Sequence, residues 1–240
     1  MKKLPVDLVT INTNSVEAGI KALEYSQKTI KFNNTYLFSS ENVSGDFELI
    51  KINKFKNVIE YNNFIIKLTD YIDSEFVLIV QPDGYLINPL KWSDNFLNYD
   101  YIGAPWPSDK KWLNRWSKYP SNIKNPIHKN IEFNRIGNGG FSLRSKKFLE
   151  YSSNFESNFI KNGVPEDIFL NLVNFDLAKE NNIKYPDIET AINFSYETPL
   201  KGLWKNKEKK FHYFNRKKHL GWHGNKFLNS TNLLNLKNKY

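Results

Sequence analysis

The chain contains no cysteine. Disulfides, thiolate metal sites and cysteine nucleophiles are therefore excluded outright, and a reducing compartment is compatible. Long apolar runs are missing as well: no stretch approaches the roughly 18 apolar residues that a spanning helix needs. Met1-Lys2-Lys3 leads into Leu4-Pro5-Val6-Asp7-Leu8-Val9, which lacks the apolar centre of a secretion signal. A soluble, cytoplasmic chain is expected, at most peripheral to a membrane. Acidic residues are scarce in the second half. Residues 1–120 carry 14 Lys/Arg and 14 Asp/Glu, whereas residues 121–240 carry 20 and 11 and hold the whole net charge of +9. Residues 201–226 alone hold nine basic residues against Glu208. Such a segment suits an anionic partner or simply forms a solvated tail.

What is present fits one large domain. Of 240 residues, 40% are hydrophobic, enough for a substantial core. Val6–Ile11 and Glu75–Val80 read as buried strands, with further strands over Thr35–Ser40 and Phe47–Ile52. Ser15 is an expected N-cap for a helix reaching Ile30, and Tyr61–Ile72 carries helical spacing. Further on, Phe141–Arg144 reads as a strand, Lys146–Phe155 as a helix, and Glu166 opens a helix expected to run to Asn182. Residues 105–130 look like a long loop. The β-α-β-β-α-β order implies an α/β fold with a mostly parallel central sheet, in which ligands bind at the carboxyl ends of strands.

Three motifs carry chemistry. Gln81-Pro82-Asp83-Gly84 directly follows the apolar run Phe76–Val80, so Asp83 stands at the carboxyl end of the most buried strand, within reach of a divalent cation bridging two phosphates. Pro-Asp-Gly is equally an ordinary turn sequence. Gly137-Asn138-Gly139-Gly140 precedes a strand and removes the Cβ atoms that would keep a ligand off the backbone. It is neither a dinucleotide fingerprint nor a P-loop, because no helix opens within it and no Gly-Lys-Ser/Thr follows. Pro165-Glu166-Asp167 opens a helix, where an acid satisfies the helix dipole or serves as a general base. Finally, His223 lies in the tight setting Gly221-Trp222-His223-Gly224. His128, His212 and His219 have no such context.

Taken in order, Gln-x-Asp-Gly, Tyr101-Ile-Gly-Ala-Pro-Trp106, Gly137-Asn-Gly-Gly-Phe-Ser-Leu-Arg-Ser145, Pro-Glu-Asp-Ile-Phe169 and Trp-His-Gly224 resemble a bacterial group of GT-A-type glycosyltransferases carrying the domain of unknown function 5672. The resemblance spans about Val6 to Gly224. It implies a GT-A-like fold over residues 1–240, with a nucleotide-sugar-binding half (about 1–104) fused to an acceptor-binding and catalytic half (about 105–240). It also implies a nucleotide-sugar donor, UDP-linked by preference, together with Mn²⁺ or Mg²⁺. The usual Asp-x-Asp appears here as Gln81-Pro82-Asp83, with one charge fewer. Asp83 and His223 match the metal ligands, and Asp167, with Glu166 beside it, matches the base of inverting relatives. Thr10, Asn12 and Ser39 fall at nucleoside positions, joined by Gln81, Gly139 and Gly140 around the donor. Trp106 and the 105–130 loop fall on the acceptor side.

The resulting expectation is an inverting, metal-dependent hexosyltransferase acting in polysaccharide biosynthesis. Its acceptor would be a glycan or lipid-linked saccharide, and no nucleic acid is expected as a partner. Two alternatives remain open on the residues alone. One is a nucleotidyltransferase, which would prefer a basic glycine-rich loop near Thr10–Asn14. The other is a non-catalytic module for nucleic acid or anionic glycans, built on the basic C-terminal segment with its interleaved aromatics.

Overall fold

A computed structural model describes residues 2–107, 110–114, 127, 130–131, 134–155, 164–198, 200 and 217–224. Its centre is a six-stranded sheet. Strands β2 (Asp7–Ile11), β4 (Thr35–Ser39), β5 (Glu48–Lys51), β6 (Phe76–Val80), β8 (Tyr101–Ile102) and β9 (Phe141–Ser145) lie in the order β5-β4-β2-β6-β9-β8. The first four are mutually parallel, whereas β9 runs antiparallel to both β6 and β8. Residues from the second half of the chain thus complete the sheet begun by the first.

The apolar runs explain why these segments are strands. Successive side chains point to opposite faces, so a strand buried on both sides must be apolar throughout. Along β6, Leu78 and Val80 face a core with Leu8, Leu23 and Leu143, while Val77 and Ile79 face another with Val9, Phe38 and Ile65. Removing one such side chain costs about 2–5 kcal/mol. Helix α1 (Val16–Gln27) buries Val16, Gly19, Ala22 and Leu23, a stripe at helical spacing. Helix α2 (Val58–Ile65) is capped by Asn57, whose side chain accepts from the amides of Ile59 and Glu60. A third core gathers Tyr101, Trp106, Ile136, Phe148 and Leu170 beyond the sheet.

Two small sheets finish the fold. β1 (Lys2–Lys3) pairs with β3 (Ile30–Lys31), which is why α1 stops at Gln27 instead of reaching Ile30. β7 (Gly84–Leu86), β10 (Ser195–Tyr196) and β11 (Gly221–His223) form a three-stranded sheet with β11 in the middle. Several sequence expectations shift. Ser15 makes no side-chain cap; the Asn12 side chain instead accepts from the amides of Asn14 and Ser15. The helix expected over 61–72 is α2 followed by a 3₁₀ turn at Leu68–Asp70. The helix expected over 166–182 is broken: one α-turn at Glu166–Ile168, a π-turn at Phe169–Val173, then Phe175–Glu180. The Asn174 amide, bonded to the Phe169 carbonyl, closes the wide turn. No helix among the described residues is long and apolar enough to cross a membrane.

Candidate functional site

The three motifs meet at the carboxyl end of β6. The chain turns back at once there: Gln81 and Gly84 exchange backbone hydrogen bonds of 2.7 and 2.9 Å, placing Pro82-Asp83 at the tip. β7 then pairs with β11 so that Gly84 faces His223. The Gly224 amide donates to the Asp83 carbonyl at 3.0 Å. This ladder brings His223 Nε2 to 3.5 Å from Asp83 Oδ1, with about a fifth of each side chain still exposed. Both groups titrate accordingly. Burial alone would raise the Asp83 carboxyl, but its bond and charge contact with His223 leave it below the usual carboxylate range. Burial alone would lower the His223 imidazole, yet Asp83 and, further off, Glu197 raise it.

The glycine block supports this wall from behind. A Cβ on Gly140 would lie 2.1 Å from His223 Nε2 and 2.8 Å from Gln81 Oε1, and one on Gly84 would lie 2.6 Å from the Gly140 carbonyl. These glycines make room for the protein's own histidine and glutamine. The same holds for Gly137, whose Cβ would meet the Trp106 ring at 1.8 Å, and for Gly139, whose Cβ would meet Glu166 Oε1 at 2.6 Å. Trp106 is accordingly buried against Trp112 and Gly137 and offers no open face to a sugar, contrary to the expectation for the acceptor side. Asn138 takes the left-handed conformation, φ 68°, that turns the block into β9.

On the other side of Gly139 stands Asp167. The Gly139 amide donates to Asp167 Oδ2 at 2.9 Å and the Ile168 amide to Oδ1 at 2.8 Å. The side chain is enclosed but not sealed. Burial first, and the neighbouring Glu166 second, push its carboxyl up to about 7, against the pull of the two amides. Glu166 is buried and spoken for: Arg144 Nη2 reaches its Oε1 at 2.6 Å.

The remaining expected residues are less central. Thr10 is fully buried and its hydroxyl donates to the Val80 carbonyl at 2.8 Å, tying β2 to β6. The Ser39 hydroxyl, also buried, accepts from the Glu41 amide at 3.1 Å. Asn12 is half-buried and occupied as the turn acceptor at the start of α1. Gln81 donates through its amide to the Tyr61 hydroxyl at 2.7 Å. Sequence reasoning assigned no role to Tyr61, Arg144 or Glu197. Most of the basic 201–226 segment and of the 105–130 loop lies outside the described residues.

Among the described residues no three acidic or histidine side chains gather closely enough to hold an ion alone. Asp83 and His223 nevertheless fit a divalent ion as a pair. Their 3.5 Å spacing suits two donors of one ion. Among the described residues His223 Nδ1 makes no hydrogen bond, and Glu197 Oε1 lies 4.0 Å away. A carboxylate behind the second ring nitrogen is the usual outer partner of a metal-bound histidine.

The fold has known counterparts. The crystal structure of galactosyltransferase LgtC in complex with donor and acceptor sugar analogues superposes with a TM-score of 0.53 at 11% identity, covering 91% of this chain and 87% of that one. An active-site mutant of LgtC gives a TM-score of 0.48 at 13% identity over the same shares. The likeness to LgtC makes this a GT-A-type fold, with the mostly parallel central sheet flanked by helices. No curated protein matches the sequence. The family model described as "Protein of unknown function (DUF5672)" matches residues 45–213, and the chain belongs to that family.

Proposed function

We propose that this protein is a glycosyltransferase that moves a sugar from a nucleoside-diphosphate donor to a hydroxyl of a glycan or lipid-linked acceptor, with inversion at the anomeric carbon. One observation carries the reading. Asp83, His223 and Asp167, far apart in sequence, are brought together through Gly139 and Gly140 into one site at the carboxyl end of the central strand. In open α/β sheets that is where ligands bind. A GT-A-type fold supports the same assignment.

Asp83 and His223 would hold Mn²⁺ or Mg²⁺, which when bound neutralises charge on a departing diphosphate. Asp167 faces the same space with its carboxyl poised near neutral pH, where a general base works best. It takes the proton from the acceptor hydroxyl as that oxygen bonds to the anomeric carbon. The bond from that carbon to the diphosphate breaks, and its electron pair leaves with the nucleoside diphosphate. The Gly139 and Ile168 amides keep the Asp167 carboxylate aimed throughout. UDP is the nucleotide we favour.

Thermal denaturation with UDP, GDP or CMP, each with and without Mn²⁺, tests the assignment. A ligand present at a hundred times its Kd stabilises by about 2.7 kcal/mol. A rise in Tm is expected with a nucleoside diphosphate and Mn²⁺ together, and little with either alone. No response to any nucleotide, joined to salt-sensitive binding of nucleic acid, would sink it.

A further inference from the structure

Glu166 and Asp167 are consecutive in a single helical turn, yet the fold treats them in opposite ways. Asp167 keeps a partly open carboxylate held only by amides, whereas Glu166 is turned inward. The difference originates on β9. Arg144 sits mid-sheet, paired with Val77 on one side and Tyr101 on the other, and is fully buried. Its Nη2 binds Glu166 Oε1 at 2.6 Å, its Nε donates to the Ser142 hydroxyl at 3.1 Å, and its guanidinium lies 5.4 Å above the Tyr101 ring. The ion pair fills the space beneath Gly139: a Cβ there would be 2.6 Å from Glu166 Oε1 and 3.1 Å from Arg144 Nη2. Gly139 is the residue whose amide holds Asp167.

Taking a guanidinium out of water is expensive, and a sheet position of this kind packs a leucine or methionine more cheaply. We propose that Arg144 is a positioning residue: by locking Glu166 beneath Gly139 it removes that acid from the site and fixes the turn that leaves Asp167 alone facing the acceptor. The inference rests on Asp167 being the base. Without the clamp, two adjacent carboxylates would have equal claim to the same space. The charged and titratable groups around Asp167 are Glu166 on its own turn with Arg144 behind it, Glu197 after β10, His223 on β11, Tyr61 on α2 and Tyr101 on β8.

The test uses the full chain with a UDP-sugar and Mn²⁺. Rate against pH is measured for wild type, Glu166→Gln, Arg144→Lys and Arg144→Met, alongside a ¹³C-carboxyl NMR titration of Asp167. In Glu166→Gln the acid limb moves down by roughly a unit, because one negative neighbour is gone. Arg144→Met lowers kcat at its own optimum by roughly ten- to a hundredfold, as small misplacements do, and Arg144→Lys recovers most of it. A merely structural clamp would reduce the yield of folded protein and leave kcat of the folded fraction of Arg144→Met at the wild-type value, overturning the proposal. Should Arg144→Met fail to fold, Glu166→Gln and Arg144→Lys still decide. The titration needs no turnover. An Asp167→Asn variant that still transfers sugar refutes the base assignment, while an Arg144→Met variant whose Asp167 titration and kcat both match wild type refutes the clamp.

Discussion

The two walls of the site are built by different means. The Asp83–His223 wall hangs on a backbone ladder: β7 and β11 set the spacing, and each side chain is left about a fifth exposed with coordination to spare. The Asp167 wall hangs on a buried ion pair: Arg144 and Glu166 are sealed and fill their space, and only the neighbouring acid stays open. One wall is made to accept atoms from outside. The other is made to hold a charge in place. Polar groups that stay near water keep the option of a ligand, whereas a group that orients others can be taken inside once it is paired, as Arg144 is through Nη2 and Nε.

The largest effect that would sharpen this contrast is on stability. Arg144→Met leaves the Glu166 carboxylate buried without its cation and is expected to cost about 3–5 kcal/mol. His223→Ala removes a partly exposed ring and is expected to cost less than half of that. Urea denaturation of the two variants measures both, and equal losses would erase the distinction.

A smaller effect is expected at the seam between the walls. In Gly140→Ala the new methyl lies on the His223 ring, 2.1 Å from Nε2. Overpacking of this kind costs about 1–3 kcal/mol. Because β11 pairs only with short strands, the ring is expected to yield before the main sheet does. Calorimetric titration with UDP and Mn²⁺ is expected to show donor affinity lost by about tenfold or more, with the stability loss at the low end of that range.

The last effect is a pH dependence. The Asp167 carboxyl is raised from 3.8 to about 7 in the folded chain. Folding therefore favours its protonated form. That contribution is complete below about pH 4 and is lost as pH rises through 7. The Tm of Asp167→Asn relative to wild type is thus expected to climb between pH 4 and pH 8 and to level off above. A flat difference would mean that Asp167 is not held in this way.

The parts of the fold visible in the sequence were those written in local pattern. Phe76–Val80 reads as a doubly buried strand because apolarity on both faces has no other cheap explanation. Asp83, the glycine block, Asp167 and His223 stood out because their motifs follow one another in the order of a known family. What stayed hidden depends on distant partners. Arg144 follows Phe141-Ser142-Leu143 and reads as a solvent-facing strand residue. Only the acid 22 positions later makes it a buried one. A lone cation inside an otherwise small or apolar strand, with an acidic pair downstream, is the signal to look for. Thr10 and Ser39 sit at strand ends where nucleosides bind in this kind of fold, but their hydroxyls had backbone partners no local pattern reveals. The break of the helix after Ile168 was likewise invisible, because a π-turn uses the same residue types as the α-turn around it.

The pairing of β7 with β11 has one more consequence. Gly84 and His223 face each other across a ladder whose strands are separated by most of the chain. The ladder of the central sheet closes without β11, which pairs with β7 and β10 and meets that sheet through side-chain packing, Gly221 lying against the Phe141 ring. On the proposed reading, loosening β11 would draw His223 away from Asp83 while the hydrogen-bond ladder of the central sheet keeps all its pairs.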